Sequence, residues 1–125
     1  GQQLCIASGA WTPRVLAGQT YPTDIFPIRG QMVLYRLPNR PFQPVINEGH
    51  RYLVPRADGM LLAGSCEEEA GYVEATTETM IAQLQSWAQS LIPELQTAIV
   101  ERTWAGLRPG SVDGLPYLGS VPGYQ

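Results

Sequence analysis

The stretch Arg102 to Gly119, R-T-W-A-G-L-R-P-G-S-V-D-G-L-P-Y-L-G, joins an apolar, strand-like run to a dense set of turn residues. Trp104, Ala105, Gly106 and Leu107 lead into Arg108, and Pro109-Gly110 is expected to turn the chain straight after it. Asp113-Gly114 is a second turn signal, and Pro116-Tyr117-Leu118-Gly119 closes the run. An arginine so placed stands at a strand mouth, where its planar fork of donors can take a carboxylate in bidentate fashion. On local pattern alone, the simpler reading is a structural arginine paired with a neighbouring Asp or Glu.

Working outward, Ala98 to Leu107 reads as a strand that alternates Arg102 and Trp104 with Thr103 and Ala105. Before it lies the strongest helix signal. Thr76 or Thr77 can cap it, Glu78 complements its N-terminal dipole, and Pro93 stops it. Met80, Ile81, Leu84, Trp87, Ala88 and Leu91 fall on one helical face, which suits packing against a sheet better than gripping a cofactor. Further upstream, His50–Pro55 and Met60–Ser65 read as strands joined by the hairpin signal Ala57-Asp58-Gly59. Pro55 should lie at an edge or bulge. Val45–Asn47 is a short strand candidate, Ile28–Leu37 a longer one, and Gly18 to Pro27 a loop. Gln3 to Ala7 reads as a short buried strand, with Ser8 to Trp11 as a turn and Thr12-Pro13 opening a short helix. Cys66 to Val73, with its Glu67-Glu68-Glu69 run, is an acidic loop. The fold class expected is α+β, a mostly antiparallel sheet covered by one long helix.

The 125 residues suit a single core. Charged residues make up 15%, below the usual quarter, so much of the surface should be buried against something. A net charge of -3 offers no electrostatic footprint for nucleic acid or an anionic membrane, and no apolar run approaches bilayer length. Cys5 and Cys66 are expected as reduced, buried thiols in a cytoplasmic protein. One His and two Cys do not make a usual structural zinc site. No acid/base dyad or nucleophile announces itself, and no catalytic residue is assigned. Strand, glycine turn and helix at Ser8-Gly9 is how dinucleotide folds approach a ligand, but no G-x-G-x-x-G fingerprint is present. The abrupt apolar start and uncapped end suggest a piece of a longer protein.

Four ordered motifs resemble those of the D-amino-acid-oxidase-like FAD-dependent oxidoreductases. L-C-I-A-S-G-A-W, from Leu4 to Trp11, resembles the strand that returns under the flavin. P-I-R-G-Q-M, from Pro27 to Met32, resembles the "P-v-r-G-q" strand. R-Y-L-V-P-R-A-D-G, from Arg51 to Gly59, with the strand after it, is similar to the "Y-i-v-P-r-x-d-G" hairpin. W-A-G-L-R-P-G-S-V-D-G-L-P-Y-L-G, from Trp104 to Gly119, is similar to the "W-x-G-l-R-P" signature and is the most specific of the four. Within the superfamily the likeness is greatest to the glycine oxidases of the thiamine pathway.

The resemblance implies a substrate-binding domain over residues 27–107, with residues 1–26 and 108–125 as connections to and from a flavin domain. It implies that Arg108 and Tyr52 bind the carboxylate of a small amino acid, and that Ser8, Gly9 and Gly106 lie beside FAD. The implied reaction converts amino acid, oxygen and water to keto acid, ammonia and hydrogen peroxide. The family's N-terminal flavin fingerprint and its late "G-H-x-x-x-G" segment do not occur in this sequence. Tight FAD binding and oxidase activity are therefore not expected of these 125 residues alone. Family members tend to carry apolar or neutral groups where Gly64-Ser65-Cys66-Glu67 stands, so glycine as substrate stays open. Glu67 is expected to face water, and His50 to be a support or surface residue. The alternatives are a D-amino-acid dehydrogenase or sarcosine-oxidase-like domain, or a non-catalytic assembly module whose sheet serves a homo-oligomer interface.

Overall fold

A computed structural model describes residues 4–18, 23–39 and 42–120. The elements are a 3-10 turn at Gly9–Trp11, α1 (Thr12–Val15), β1 (Ile25–Arg36), β2 (Ile46–Glu48), β3 (Arg51–Pro55), β4 (Met60–Gly64), α2 (Glu78–Leu91), a second 3-10 turn at Pro93–Gln96, and β5 (Ile99–Ser111). The strands form one antiparallel sheet in the order β2-β3-β4-β1-β5. α2 lies across one face of it, so the α+β arrangement expected from the periodicities is the one found.

The covered face is the core. Paired residues of an antiparallel ladder project from the same side, and Leu53, Ala63 and Val33 are such a row across β3, β4 and β1. Together with Tyr35 and Leu61 they meet Leu84, Trp87, Ala88, Ile92 and Leu95. Leu91, expected on the same helical face, is 42% exposed, because the helix ends there and the chain turns away at Ile92. Thr77 is the residue before the helix but makes no side-chain cap. Its N–H donates to Gln31 Oε1 at 2.8 Å and its hydroxyl accepts from Gln31 Nε2 at 3.2 Å, tying the helix start to β1. Pro55 lies beyond the last β2 pairing, so its missing N–H leaves no ladder bond broken on that side.

Several expectations fail. Pro109-Gly110 does not turn the chain, and Arg108 lies inside β5, opposite Ile28. β1 accordingly starts at Ile25, inside what reads as a loop. The two prolines explain why the ladder survives. Pro27 and Pro109 face each other, and the neighbouring Arg29 directs its own backbone bonds to Glu68, away from β5. By alternation, the Pro27–Pro109 pair is a position where neither residue has to donate across the ladder. β5 is also an edge strand, where proline is tolerated. The turn comes later, where the Gly114 N–H donates to the Ser111 carbonyl at 3.1 Å.

Leu4 to Ala7 form no strand: they pair with nothing in this sheet, and Leu4 is 86% exposed. Gln3 lies outside the described residues. Cys5 is exposed, not buried, for the same reason, while Cys66 is buried as expected.

Candidate functional site

The face of the sheet away from α2 carries the residues of interest. One row runs Tyr52, Gly64, Met32, Trp104 across β3, β4, β1 and β5. Two residues along, Gly30 faces Gly106, and two further, Ile28 faces Arg108. Tyr52 and Arg108 therefore project from the same face. They are separated by three strand spacings and a four-residue offset, roughly 14 Å in each direction in an untwisted sheet. No hydrogen bond joins them among the described residues. Each has its own partner instead.

Tyr52 donates its hydroxyl to the Met32 sulfur at 3.4 Å. This contact depends on Gly64 between them. A Cβ built at Gly64 would stand 2.3 Å from Met32 Sδ and 3.1 Å from the Tyr52 ring. The missing side chain lets Tyr52 and Met32 close over β4. Gly106 differs, since a Cβ there would meet nothing within 4 Å. Gly30 opposite is buried, with Ser65 and the Cys66 carbonyl against it, so the open backbone between the Met32–Trp104 row and the Ile28–Arg108 row lies at Gly106.

Arg108 donates through Nη2 to Glu67 Oε1, and the same oxygen lies 3.4 Å from His50 Nδ1. Sequence reasoning puts Glu67 in water. It is exposed, but it turns to Arg108. The hydrogen bond from Arg108 holds the Glu67 carboxyl below the usual carboxylate range. The His50 side chain is 77% exposed, in keeping with a surface role.

Glu68, next in the chain, points the other way. It accepts from Arg29 Nε and Nη2 at 3.2 and 3.0 Å, from Gln31 Nε2 at 2.8 Å and from Cys66 Sγ at 2.9 Å. Arg29 and Gln31 are buried, and the Glu68 carboxyl is pulled down to about 2, first by the hydrogen bond from Arg29. Burial pushes the Cys66 thiol up to about 11, with the bond to Glu68 adding to the effect, so Cys66 is a neutral structural donor and not a nucleophile. The acidic run that reads as uniformly solvated thus holds one half-buried anchor, Glu68, and one surface partner of Arg108, while Glu69 is exposed as expected.

At the start of the described chain, Gly9 takes φ +55° and Ser8 Oγ lies 3.0 Å from Thr12 Oγ1. That turn rests against β1 and β5, the two strands that carry Gly30 and Gly106. Ser8, Gly9 and Gly106 are therefore associated with one pair of strands. A cleft of about 330 Å³ opens beside the site between α2 and the loop after β4, lined by His50, Arg51, Glu67 and Met80 among others. Neither Tyr52 nor Arg108 lines it. Among the described residues, no three His, Cys, Asp or Glu are grouped to hold a metal, and no helix is long and apolar enough to cross a membrane. The residues that sequence reasoning does not single out are Met32 and Gly64. Their signal is the alternation in β1, which places Met32 on the face opposite Val33.

Known proteins resolve the family. The model of the FAD-dependent oxidoreductases matches residues 2–125. This chain belongs to that family. Glycine oxidase from Pseudomonas putida is 37% identical over 123 residues, covering 98% of this chain and 34% of that protein. Hydrogen cyanide synthase subunit HcnC from Pseudomonas aeruginosa is 37% identical over 121 residues, covering 94% of this chain and 28% of that protein. The crystal structure of glycine oxidase from Geobacillus kaustophilus superposes with a TM-score of 0.90 at 30% identity, covering 96% of this chain and 33% of that chain. The sheet and long helix of this FAD-dependent oxidoreductase segment thus match a segment of a glycine oxidase. The chain spans about a third of the length of these relatives.

Proposed function

We propose that this segment is the substrate-binding part of a glycine-oxidase-like, FAD-dependent amino-acid oxidase, and that Arg108 and Tyr52 hold the substrate carboxylate. The observation that carries the reading is the Arg108–Glu67 contact, in which the guanidinium already takes a carboxylate oxygen on the face it shares with Tyr52. A guanidinium fork and a phenol directed at one carboxylate supply charge-assisted bonds and fix the direction of the adjacent Cα–H bond. The overall change is amino acid, oxygen and water to keto acid, ammonia and hydrogen peroxide. It needs no acid or nucleophile from this chain when the cofactor accepts the electrons.

The residues present fit a flat cofactor. The space over Gly106 is open, and the turn that begins at Gly9 lies against β5, which carries Gly106, and against its neighbour β1. FAD held there would supply the electron acceptor. Ser8, Gly9 and Gly106 would bound it with backbone, and Arg108 and Tyr52 would orient the substrate towards it. The proposed division at residues 26 and 107 runs through β1 and β5, so the connecting segments share the sheet and do not hang from it. The remainder of the flavin site, in this reading, comes from outside these residues, and residues 1–125 alone neither retain FAD nor turn over an amino acid.

Arg108→Ala in the full-length, FAD-loaded protein tests this. Losing charged hydrogen bonds of about 1.5–3 kcal/mol each raises KM for the amino acid by roughly 10- to 100-fold, with bound flavin unchanged. Arg108→Lys keeps the charge but not the fork and restores only part of the affinity. An unchanged KM in a folded, flavin-loaded Arg108→Ala protein rules the role out. The equal identity to the hydrogen cyanide synthase subunit favours a second reading, a subunit of a hetero-assembly. Stoichiometric hydrogen peroxide from the purified protein acting alone excludes that.

A further inference from the structure

We propose that Glu67 is a specificity-determining residue of the Arg108 site, which makes it discriminate against ligands with a second carboxylate and favour neutral or basic ones. The inference rests on the reading of Arg108 as the carboxylate-binding residue.

Glu67 takes one nitrogen of a guanidinium that offers five N–H donors. A ligand carboxylate can use the rest of the fork, but it then lies directly beside the Glu67 carboxylate. Arg108 keeps Glu67 ionised at neutral pH, since its hydrogen bond holds the carboxyl below the usual range. A single ligand carboxylate shares one cation with Glu67. A second one brings an additional like charge against the same anion, and a basic group brings an attractive one. Beyond Glu67 the neighbouring cleft has Glu48 on its wall, so a ligand extending that way meets acid again, although Arg51 also lines it.

Stability does not account for this contact. Glu68 does the structural pairing in this loop, with buried partners, whereas the Arg108 and Glu67 side chains are 53% and 41% exposed. Exposed pairs of that kind stabilise a fold very little. Among the described residues, the partners of the Glu67 side chain are Arg108 and the exposed His50. A carboxylate that contributes little to the fold, yet sits on the cation of a binding site, acts as a charge filter for what binds there.

The test uses the full-length, FAD-loaded protein and two competitive ligands of one chemical series, acetate and malonate, with binding followed by perturbation of the flavin absorbance. In Glu67→Gln, the dissociation constant of malonate relative to acetate falls at least fivefold compared with the parent, and in Glu67→Lys it falls further. A ratio that changes less than twofold in both variants overturns the inference. Taking the ratio removes any general change in Arg108 geometry. Arg108→Ala is measured alongside. If it weakens both ligands while the Glu67 variants leave the ratio unchanged, the charge filter alone is wrong. If it weakens neither, the carboxylate-binding reading is wrong and the filter falls with it.

Discussion

The two faces of the sheet are built on opposite principles. Against α2, Val33, Tyr35, Leu53, Leu61 and Ala63 are wholly buried and interlock with Leu84 and Ala88. On the other face, Met32, Tyr52 and Trp104 are half-buried, Arg108 is exposed, and Gly106 leaves open backbone. One face maximises contact and the other withholds it. Burial of apolar area at about 25 cal/mol/Å² explains the first. A surface of the second kind contributes little to folding, and its residues are explained better by what they leave room for. The difference separates stability from binding, and substitutions on the two faces should separate them too.

The largest effect on stability is expected at the centre of the covered face. Leu84→Ala empties a fully buried position, and a cavity of that kind costs about 2–5 kcal/mol. Urea denaturation reads it as a lower midpoint with an unchanged slope. A loss below about 1 kcal/mol would mean that the helix is not held by this core. Next comes Glu68→Gln, which leaves the buried Arg29 guanidinium without its ion pair. About 2–3 kcal/mol is expected for an under-satisfied buried charge with part of its network kept. Glu68 also sets a pH window. Its folded-state pKa is about 2 against an ordinary value of 4.5, so its contribution is present above 4.5 and is lost as pH falls towards 2. An acid titration of stability should flatten over that range in Glu68→Gln.

The covered face is legible in the sequence because its rules are periodic. The 3.6-residue spacing of Leu84, Trp87 and Ala88 identifies a buried side without reference to the rest of the chain, whereas Ile28–Leu37 carries apolar groups on both faces and reads as a strand without showing which face is covered. The failures lie where a non-local pairing overrides a local signal. Pro109-Gly110 carries every mark of a turn, yet it stays in β5 because Pro27 faces it across β1. No window of ten residues holds both. Glu67 and Glu68 look alike in a charged run, and only the alternation of the chain after β4 sends one to Arg29 and the other to Arg108. Arg108 stands out locally as an arginine after an apolar run, but only motif likeness favours a substrate over a structural partner for it, and Tyr52 is nameable through motif likeness alone.

Two glycines of the open face sharpen the comparison further. Gly64→Ala forces a Cβ against the Met32 sulfur and the Tyr52 ring, and overpacking of this sort costs about 1–2 kcal/mol, because the Met32 end can move aside in part. It should also displace Tyr52 and so raise KM in the full-length protein. Gly106→Ala meets open space, so it should leave stability unchanged or slightly improved. If Gly106 borders the cofactor as proposed, the same methyl group lowers flavin retention. Loss of flavin with an unaltered urea midpoint would thus separate an interface reserved for a ligand from a surface that is merely bare.

The smallest effect on stability is expected at Arg108 itself, and it is the most informative. Arg108 and Glu67 are both largely exposed, their attraction is screened by salt, and β5 retains its backbone bonds to β1 whatever side chain stands there. Arg108→Ala should leave the urea midpoint within experimental error at physiological salt. The same substitution is expected to weaken carboxylate binding by at least an order of magnitude. A residue whose removal is silent in folding and severe in binding has no structural role to confuse with its functional one. If Arg108→Ala instead destabilised the sheet as strongly as Leu84→Ala, the pair with Glu67 would be part of the scaffold. The two faces would then differ in exposure but not in purpose, and the site would have to be sought elsewhere on the chain.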